Sequence, residues 1–356
     1  MVRAIGCFQL ILDYCRLEKK IVNRLLLGDK IGNDKLVIHY STVVYGFGNQ
    51  LRSLLGSVVF ALVTGRRLRS IFDKLHSIIV VWDDYFRITN SSFEKLKSSF
   101  NKSKIVFFFL LIAILKEPNI KYITNSVVSR FMKQVHKNNI DEYFPTEVVV
   151  VHTYKDWTYR IADIPMYKQK LKDLGLLTYS NDVHFLLSRL LLQPSQEIMS
   201  SILYSLNDKN NDFSKCIGLQ IRMGGKMTAA KADKEFLKVD TVVKGMKNIS
   251  VEYTHNESVY LSTDSLQIIP IIKSHIGNHS IIQSNSFTIG HSSTYHNNRK
   301  KTEAMKRGLC DIILASHCKP LYRTYYSSFG RMIFWLSTNS FSYILGDKDL
   351  ITIAVR

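Results

Sequence analysis

Four short segments hold side chains that could do chemistry together. "CIGLQIRMGGK" (216–226) sets Gln220 and Arg222 before Gly224 and Gly225. "VYLSTDS" (259–265) ends in Asp264, and "YYSSFG" (325–330) presents Ser327, Ser328 and Phe329. "YGFGNQ" (45–50) sets Gly46, Gly48 and Asn49 before a long apolar run. A guanidinium holds phosphate oxygens through charge-assisted hydrogen bonds. A helix start offers unpartnered N–H groups to the same anions. A carboxylate suits a base edge or a ribose, and glycine lets a backbone come close to a ligand. One cation, one carboxylate and two hydroxyls brought together would suit a nucleoside diphosphate. Each segment also has a structural reading. Arg222 could be an ion-pair partner, Asp264 could cap the helix after it, and Ser327 or Ser328 could cap the helix of "FGRMIFW". Gly224 and Gly225 could be a turn.

The elements around these segments decide whether they can meet. "KLVIHYSTVVY" (35–45) is crowded with β-branched and aromatic residues and predicts a strand. After the glycines, Leu51, Leu54, Leu55, Val58, Val59 and Leu62 recur at helical spacing. "SIIVVW" (77–82) and "EVVVVHTY" (147–154) predict further strands, and "VHFLLSRLLLQPSQEIMSSIL" (183–203) predicts two helical pieces broken at Pro194. Strands are then expected over 216–222, 258–265 and 280–284. A helix is expected over 302–318, interrupted near Gly308, and a strand, polar elbow and helix over 320–337. Alternating strands and helices imply α/β units with parallel sheets covered on both faces. Ligands of such sheets sit beyond the carboxyl ends of the strands, where Arg222, Asp264 and the serine pair all fall. The expected division is a leader over 1–34, an N-terminal domain over 35–195, a nucleotide-binding domain over 196–340 and a tail over 341–356.

The formal charge of +19 over 356 residues points to a polyanionic or phosphorylated ligand, or to a solvated lysine-rich surface. No basic-aromatic interleaving marks a nucleic-acid reader, so no nucleic-acid partner is expected. Five cysteines, at 7, 15, 216, 310 and 318, form no C-x-x-C pair, and no metal is expected. Buried thiols are the first expectation for them, with a Cys310–Cys318 bridge as the alternative in an oxidising lumen. Sequons at Asn90, Asn101, Asn248, Asn256 and Asn278 permit a secretory protein. The apolar run 105–115 is half the length that would cross a bilayer.

Taken in order, "YGFGNQLRSLLGSVVFALVTGRRL" with Thr64 and Arg66, the Leu-rich stretch around Pro194, "GLQIRMGGK", "VYLSTDS" and "YYSSFGRMIFWL" resemble the motifs of the plant xyloglucan α1,2-fucosyltransferase type (glycosyltransferase family 37). That type is related to the α1,2-, α1,6- and protein O-fucosyltransferases. The resemblance spans most of residues 36–337. It implies a GT-B-like fold, two Rossmann-like domains facing across a cleft, and transfer of fucose from GDP-fucose to a glycan hydroxyl with inversion and without a metal or other cofactor. The linkage it implies is α1,2 to galactose. It further implies a lumenal Golgi protein with a type II membrane anchor, although no clear anchor is legible here.

Carried over by position, Arg222 meets the β-phosphate and helps GDP leave, and Gln220 replaces the histidine of the other branches. Asp264 lies near guanine and ribose. Ser327, Ser328 and Phe329 form the phosphate- and base-contacting elbow, and Gly46, Gly48 and Asn49 face the donor phosphates and acceptor. The sequence departs from the family at Gly225, where an acid is expected, at 69–77, where the family is more compact and an insertion or a gene-model error is the expectation, and at 104–118, which is unlike its pattern. Asp83 and Asp84 are candidate bases, and Asp347 and Asp349 read as a surface turn. An inactive relative that keeps the cleft as a glycan- or partner-binding protein is the alternative.

Overall fold

The computed structural model describes residues 19–21, 23–25, 35–41, 47–72, 120–123, 140–146, 148–153, 158–177, 183–208, 211, 213–223, 238–252, 257–276, 280–284, 287–290, 297–325, 327–337, 341–345 and 352–355. Gly46, Asp83, Asp84, Gly224, Gly225, Asp347, Asp349, the expected strand 77–82, the apolar run 105–115 and four of the five sequons lie outside these residues. The fifth sequon, Asn248, falls within a helix. The chain divides into two compact units, Met1–Thr42 with Arg52–Gln193, and Val43–Leu51 with Pro194–Arg356.

In the first unit, β1 (Leu36–Ser41), β2 (Arg67–Phe72), β3 (Ile120–Ile123) and β4 (Val148–Val151) form a wholly parallel sheet in the order β2-β1-β4-β3. Helix α1 (Phe47–Thr64) follows β1. Its apolar positions Leu54, Leu55, Val58, Val59 and Leu62 are fully buried, as their spacing predicts. The helix ends where Gly65 takes φ 66° and Arg66 N–H reaches the Ala61 carbonyl at 3.0 Å, a left-handed cap that glycine adopts without strain. Lys170 donates to the Val63 carbonyl at 2.9 Å, setting a cation on the negative end of the helix.

Arg66 is fully buried. It donates to the carbonyls of Phe144 and Thr146, each at 2.7 Å, and so ties the start of β2 to the loop before β4. Among the described residues, short helices α2 (Ile140–Tyr143), α3 (Thr158–Asp163), α4 (Pro165–Asp173) and α5 (Val183–Leu191) also belong to the unit. One expectation is corrected here. Residues 69–72, the start of a segment read as departing from the family pattern, belong to β2 and pair residue by residue with β1.

The second unit opens with α6 (Gln196–Asn207), separated from α5 at Pro194 as the sequence predicts. Its sheet contains β5 (Cys216–Ile221), β6 (Ser258–Thr263), β7 (Ile281–Ile282), β8 (Leu321–Thr324), β9 (Phe341–Leu345) and β10 (Thr352–Val355) in the order β10-β9-β8-β5-β6-β7. All pairs are parallel except β9 with β10. Helices α7 (Val239–Glu252), α8 (Ile268–His275), α9 (Asn298–Ser316) and α10 (Ser328–Leu336) accompany it. Ile217, Leu219, Val259 and Leu261 share one buried cluster with Met246 and Ile249 of α7 and Ile268 and Ile272 of α8.

Three further expectations are corrected in this unit. The residues read as a tail contain two strands that widen the sheet, with Tyr343 of β9 stacked on its register partner Tyr322 at 4.6 Å between ring centroids. Helix α9 runs through Gly308 without a break. Cys318 pairs with Cys216, not with Cys310, and Cys310 is a buried thiol. The bridge joins the start of β5 to the approach to β8, two neighbouring strands that lie far apart in sequence. Among the described residues, no helix is long and apolar enough to cross a membrane.

Candidate functional site

The second sheet progresses outward from β5 to β6 and β7 and then returns to β8 on the other side of β5. This reversal leaves a crevice beyond the carboxyl ends of β5 and β8, the place where open parallel sheets bind ligands. β5 and β6 are wholly buried and in register, with Gln220 opposite Ser262 and Ile221 opposite Thr263. Their ends therefore deliver Arg222 and Asp264 to the same edge.

That edge is pinned by side chains. Asp264 Oδ1 accepts from Met223 N–H at 2.8 Å. Thr324, the last residue of β8, accepts from Arg222 N–H at 3.0 Å and donates to the Gln220 carbonyl at 2.9 Å. Its own N–H reaches Gln220 Oε1 at 3.2 Å. The backbone on both sides of Arg222 is thus held, and the Gln220 oxygen is engaged while its amide group remains a donor.

β8 leads directly into α10. Ser327 caps that helix, its hydroxyl accepting from Gly330 N–H at 3.1 Å. Ser328 Oγ donates to Asn49 Oδ1 in the first turn of α1, which leaves the Asn49 amide N–H groups as donors. The starts of α1 and α10 are packed backbone to backbone. A Cβ on Gly48 would lie 2.6 Å from the Phe329 nitrogen and 2.9 Å from its Cα. Neither first turn carries an acid, so two positive helix ends stand together with nothing of their own to offset them.

A solvent-continuous cleft of about 580 Å³ opens here. Gln220, Arg222, Asp264, Gly48 and Phe329 all line it. Ser327 and Ser328 are buried and do not line it, so the elbow reaches the cleft through Phe329 while its hydroxyls are spent on the cap and on Asn49. Asn49 lies one residue from the lining Gly48.

A further part of the lining comes from α9, which the motif reading passed over and which packs at Gly308 against Phe47 and Phe329. Ala304 and Gly308, at i and i+4, give it a flat stripe, and Arg307 and Asp311, also at i and i+4, border it. Asp311 is buried and accepts three hydrogen bonds, from Arg307 Nε at 2.8 Å, Tyr260 O–H at 2.8 Å and Ser262 Oγ at 3.0 Å. Burial opposes the Arg307 charge, but the adjoining Asp311 carboxylate outweighs it and holds Arg307 firmly protonated. Burial, and then the Asp311 charge, push the Tyr260 phenol well above its ordinary range, so it stays a neutral donor. Cys310, between them on the helix, is pushed up to about 12 by burial and takes no part as a thiolate. The signal for this wall was present in "KRGLCDII": a charged pair one helical turn apart inside an otherwise apolar face. Among the described residues, no group of three or more metal-binding side chains occurs.

No protein-family model matches the chain, and no curated protein matches it by sequence. Solved structures do. A point mutant of Arabidopsis thaliana FUT1 in complex with GDP is similar with a TM-score of 0.63 at 15% identity, covering 97% of this chain and 81% of that one. The α-1,6-fucosyltransferase NodZ co-crystallized with GDP is similar with a TM-score of 0.51 at 15% identity, covering 90% of this chain and 98% of that one. A selenomethionine form of NodZ from Bradyrhizobium gives the same TM-score at 14% identity, covering 90% of this chain and 98% of that one. The parallel sheets, their strand order and these likenesses agree: the chain has the GT-B fold of the fucosyltransferases.

Proposed function

We propose that the protein is a fucosyltransferase that uses GDP-fucose, transferring fucose to a glycan hydroxyl with inversion and forming an α1,2 linkage to galactose. The observation that carries this reading is the single cleft lined by Arg222, by Gly48 at the start of α1 and by Phe329 at the start of α10. A pyrophosphate there would meet a guanidinium and two helix N-termini at once. Further support comes from solved fucosyltransferases of the same fold, crystallised with GDP or soaked with GDP-fucose.

In the reaction, the bond between the fucose anomeric carbon and the β-phosphate oxygen breaks as the acceptor oxygen bonds to that carbon from the opposite face. The acceptor proton passes to a base, and GDP departs with the electron pair. Charge develops on the departing phosphate, so fixed positive groups aimed at it lower the barrier. Arg222 is the principal one, with its backbone N–H already held by Thr324. Asn49 supplies amide donors at the same end of the cleft. No metal enters this scheme. A Golgi-lumenal location with a type II anchor belongs to the same reading, and the Cys216–Cys318 bridge suits the oxidising compartment it requires.

The test has two parts. GDP should raise the melting temperature and ADP should not. GDP-fucose with a β-galactoside acceptor should then release GDP and yield an α1,2-fucosylated product. GDP binding without turnover on any acceptor would identify a non-catalytic glycan- or partner-binding relative, and no GDP binding at all would remove the donor assignment.

A further inference from the structure

β5 and β8 run in parallel register through Gly218, Leu219 and Gln220, opposite Leu321, Tyr322 and Arg323. Gly218 N–H donates to the Pro320 carbonyl at 2.8 Å. Continued along the strands, that pattern would send Arg222 N–H to the Thr324 carbonyl. The Thr324 carbonyl has another use. It accepts from Ser327 N–H at 3.2 Å, in the turn that leads into α10.

The Thr324 side chain continues the ladder in its place. Its hydroxyl accepts from Arg222 N–H at 3.0 Å and donates to the Gln220 carbonyl at 2.9 Å. The Thr324 N–H donates to Gln220 Oε1 at 3.2 Å. That oxygen also lies against α10, where a Cβ on Gly330 would come within 2.6 Å of it. Thr324 is buried, so water does not compete for these bonds. A single residue is thus bonded to Gln220, Arg222 and Ser327. It joins the strand end that carries Arg222 to the elbow that starts α10. Arg222 and Phe329, the second residue of α10, line the same cleft.

We propose that Thr324 is a positioning residue for the transfer reaction. Its hydroxyl fixes the strand end of Arg222 against the start of α10, so that a guanidinium and a helix N-terminus meet one pyrophosphate. This rests on the proposed use of a GDP-fucose donor. Packing alone would accept valine here, which has the same branched shape. The hydroxyl is needed because the ladder must hold one step beyond the point where β8 turns away. Without it, the Arg222 N–H and the Gln220 carbonyl lose their buried partner. The segment carrying Arg222 then settles elsewhere, and a small displacement of a charge-stabilising group is costly in rate.

The experiment is a double-mutant cycle on kcat with GDP-fucose and a β-galactoside, using Thr324→Val, Arg222→Ala and the pair together. Thr324→Val should lower kcat by about 10- to 100-fold in the wild-type background. In the Arg222→Ala background it should lower kcat by less than about 3-fold, because the group that it positions is gone. Thr324→Ser restores the hydroxyl and should return kcat to within about 3-fold of wild type. A hydroxyl that served folding alone would shift the melting temperature and cost the same factor in both backgrounds. If Thr324→Val does not fold, Thr324→Ala leaves room for a water between the two groups and runs through the same cycle. If the wild type binds GDP but turns over no acceptor, the cycle is read in GDP affinity instead. Equal losses in the two backgrounds, or a serine variant as impaired as the valine one, overturn the role of Thr324 alone. Wild type that binds no GDP overturns the donor reading beneath it.

Discussion

A Cβ placed on Gly48 would sit 2.6 Å from the backbone nitrogen of Phe329. The obstacle is main chain, so no rotamer change can relieve it. Gly48, in the first turn of α1, therefore has a packing reason that the sequence did not display: it lets two helix N-termini share one corner of the cleft. Gly48→Ala should force them apart. The expected outcome is a loss of about 1–3 kcal/mol in stability, read from the urea midpoint, together with GDP binding at least 10-fold weaker. Gly245 provides the contrast. It lies inside α7, and a Cβ there would meet only Leu345 Cδ2, at 3.5 Å. Gly245→Ala should stabilise the protein by up to about 1 kcal/mol through helix propensity. If both substitutions behave alike, the close approach at Gly48 carries no weight.

Arg222 presents the opposite case, a side chain expected to matter for rate and not for folding. The local backbone is held by Thr324 and Asp264. Arg222→Ala should lower kcat by about 10²–10³, the usual effect of removing one donor from a charge-stabilising site. The melting temperature should hardly change. Arg222→Lys should recover part of the rate, since charge returns without the two-pronged geometry. Normal turnover in the alanine variant would remove Arg222 from the mechanism.

The end of each strand was the most legible part of this protein. Arg222 and Asp264 stand out because a buried strand stops at each of them, with Gln220 as the polar residue just inside the first, and the sheet register then brings them to one edge. The α9 wall was harder to read. Arg307 and Asp311 look like an ordinary surface pair on a helix, and only the fold shows that their face is buried against Tyr260 and Ser262. Ser327 and Ser328 were ambiguous in sequence because a phosphate contact and a helix cap ask for the same residue type at the same position. Here the hydroxyls cap and brace. β9 and β10 were missed because short strands at a sheet edge carry little pattern of their own and gain order from the neighbour they join. The partner of Cys318 could not be read locally, since it lies 102 residues away.

That bridge should be worth measuring directly. Closing a loop of 102 residues removes unfolded-chain entropy equivalent to about 4–5 kcal/mol in the loop-closure picture. Peptide mapping without reductant should recover Cys216 linked to Cys318. The double substitution Cys216→Ala with Cys318→Ala should lower the melting temperature by several degrees or more. Cys310 should remain unmodified by iodoacetamide in the native protein, because burial holds its thiol up at about 12. Recovery of a Cys310–Cys318 linkage instead would contradict the β5–β8 pairing.

His39 sets an acid limit on the first unit. It is fully buried on β1, and Ser57 Oγ lies 2.7 Å from its Nδ1. The Ser57 hydroxyl donates to the Ser53 carbonyl at 3.1 Å, so it must accept from Nδ1–H, which fixes the neutral tautomer. Burial, aided by the nearby His152, lowers the His39 pKa from 6.5 to about 3. In the unfolded chain the ring takes up a proton below about 6.5, and in the folded chain it does not until about 3. The stability from this group is therefore complete above pH 6.5 and is lost as pH falls toward 3, at about 1.4 kcal/mol per pH unit. Between pH 6.5 and 5 that amounts to about 2 kcal/mol. Urea unfolding followed across this range should show the loss in the wild type. His39→Leu should be less stable at pH 7, because it removes a packed ring and its bond to Ser57, yet its stability should fall less steeply with acid by about the same 2 kcal/mol. Parallel slopes in the two proteins would mean that His39 takes up its proton as readily in the folded as in the unfolded chain, contrary to its burial.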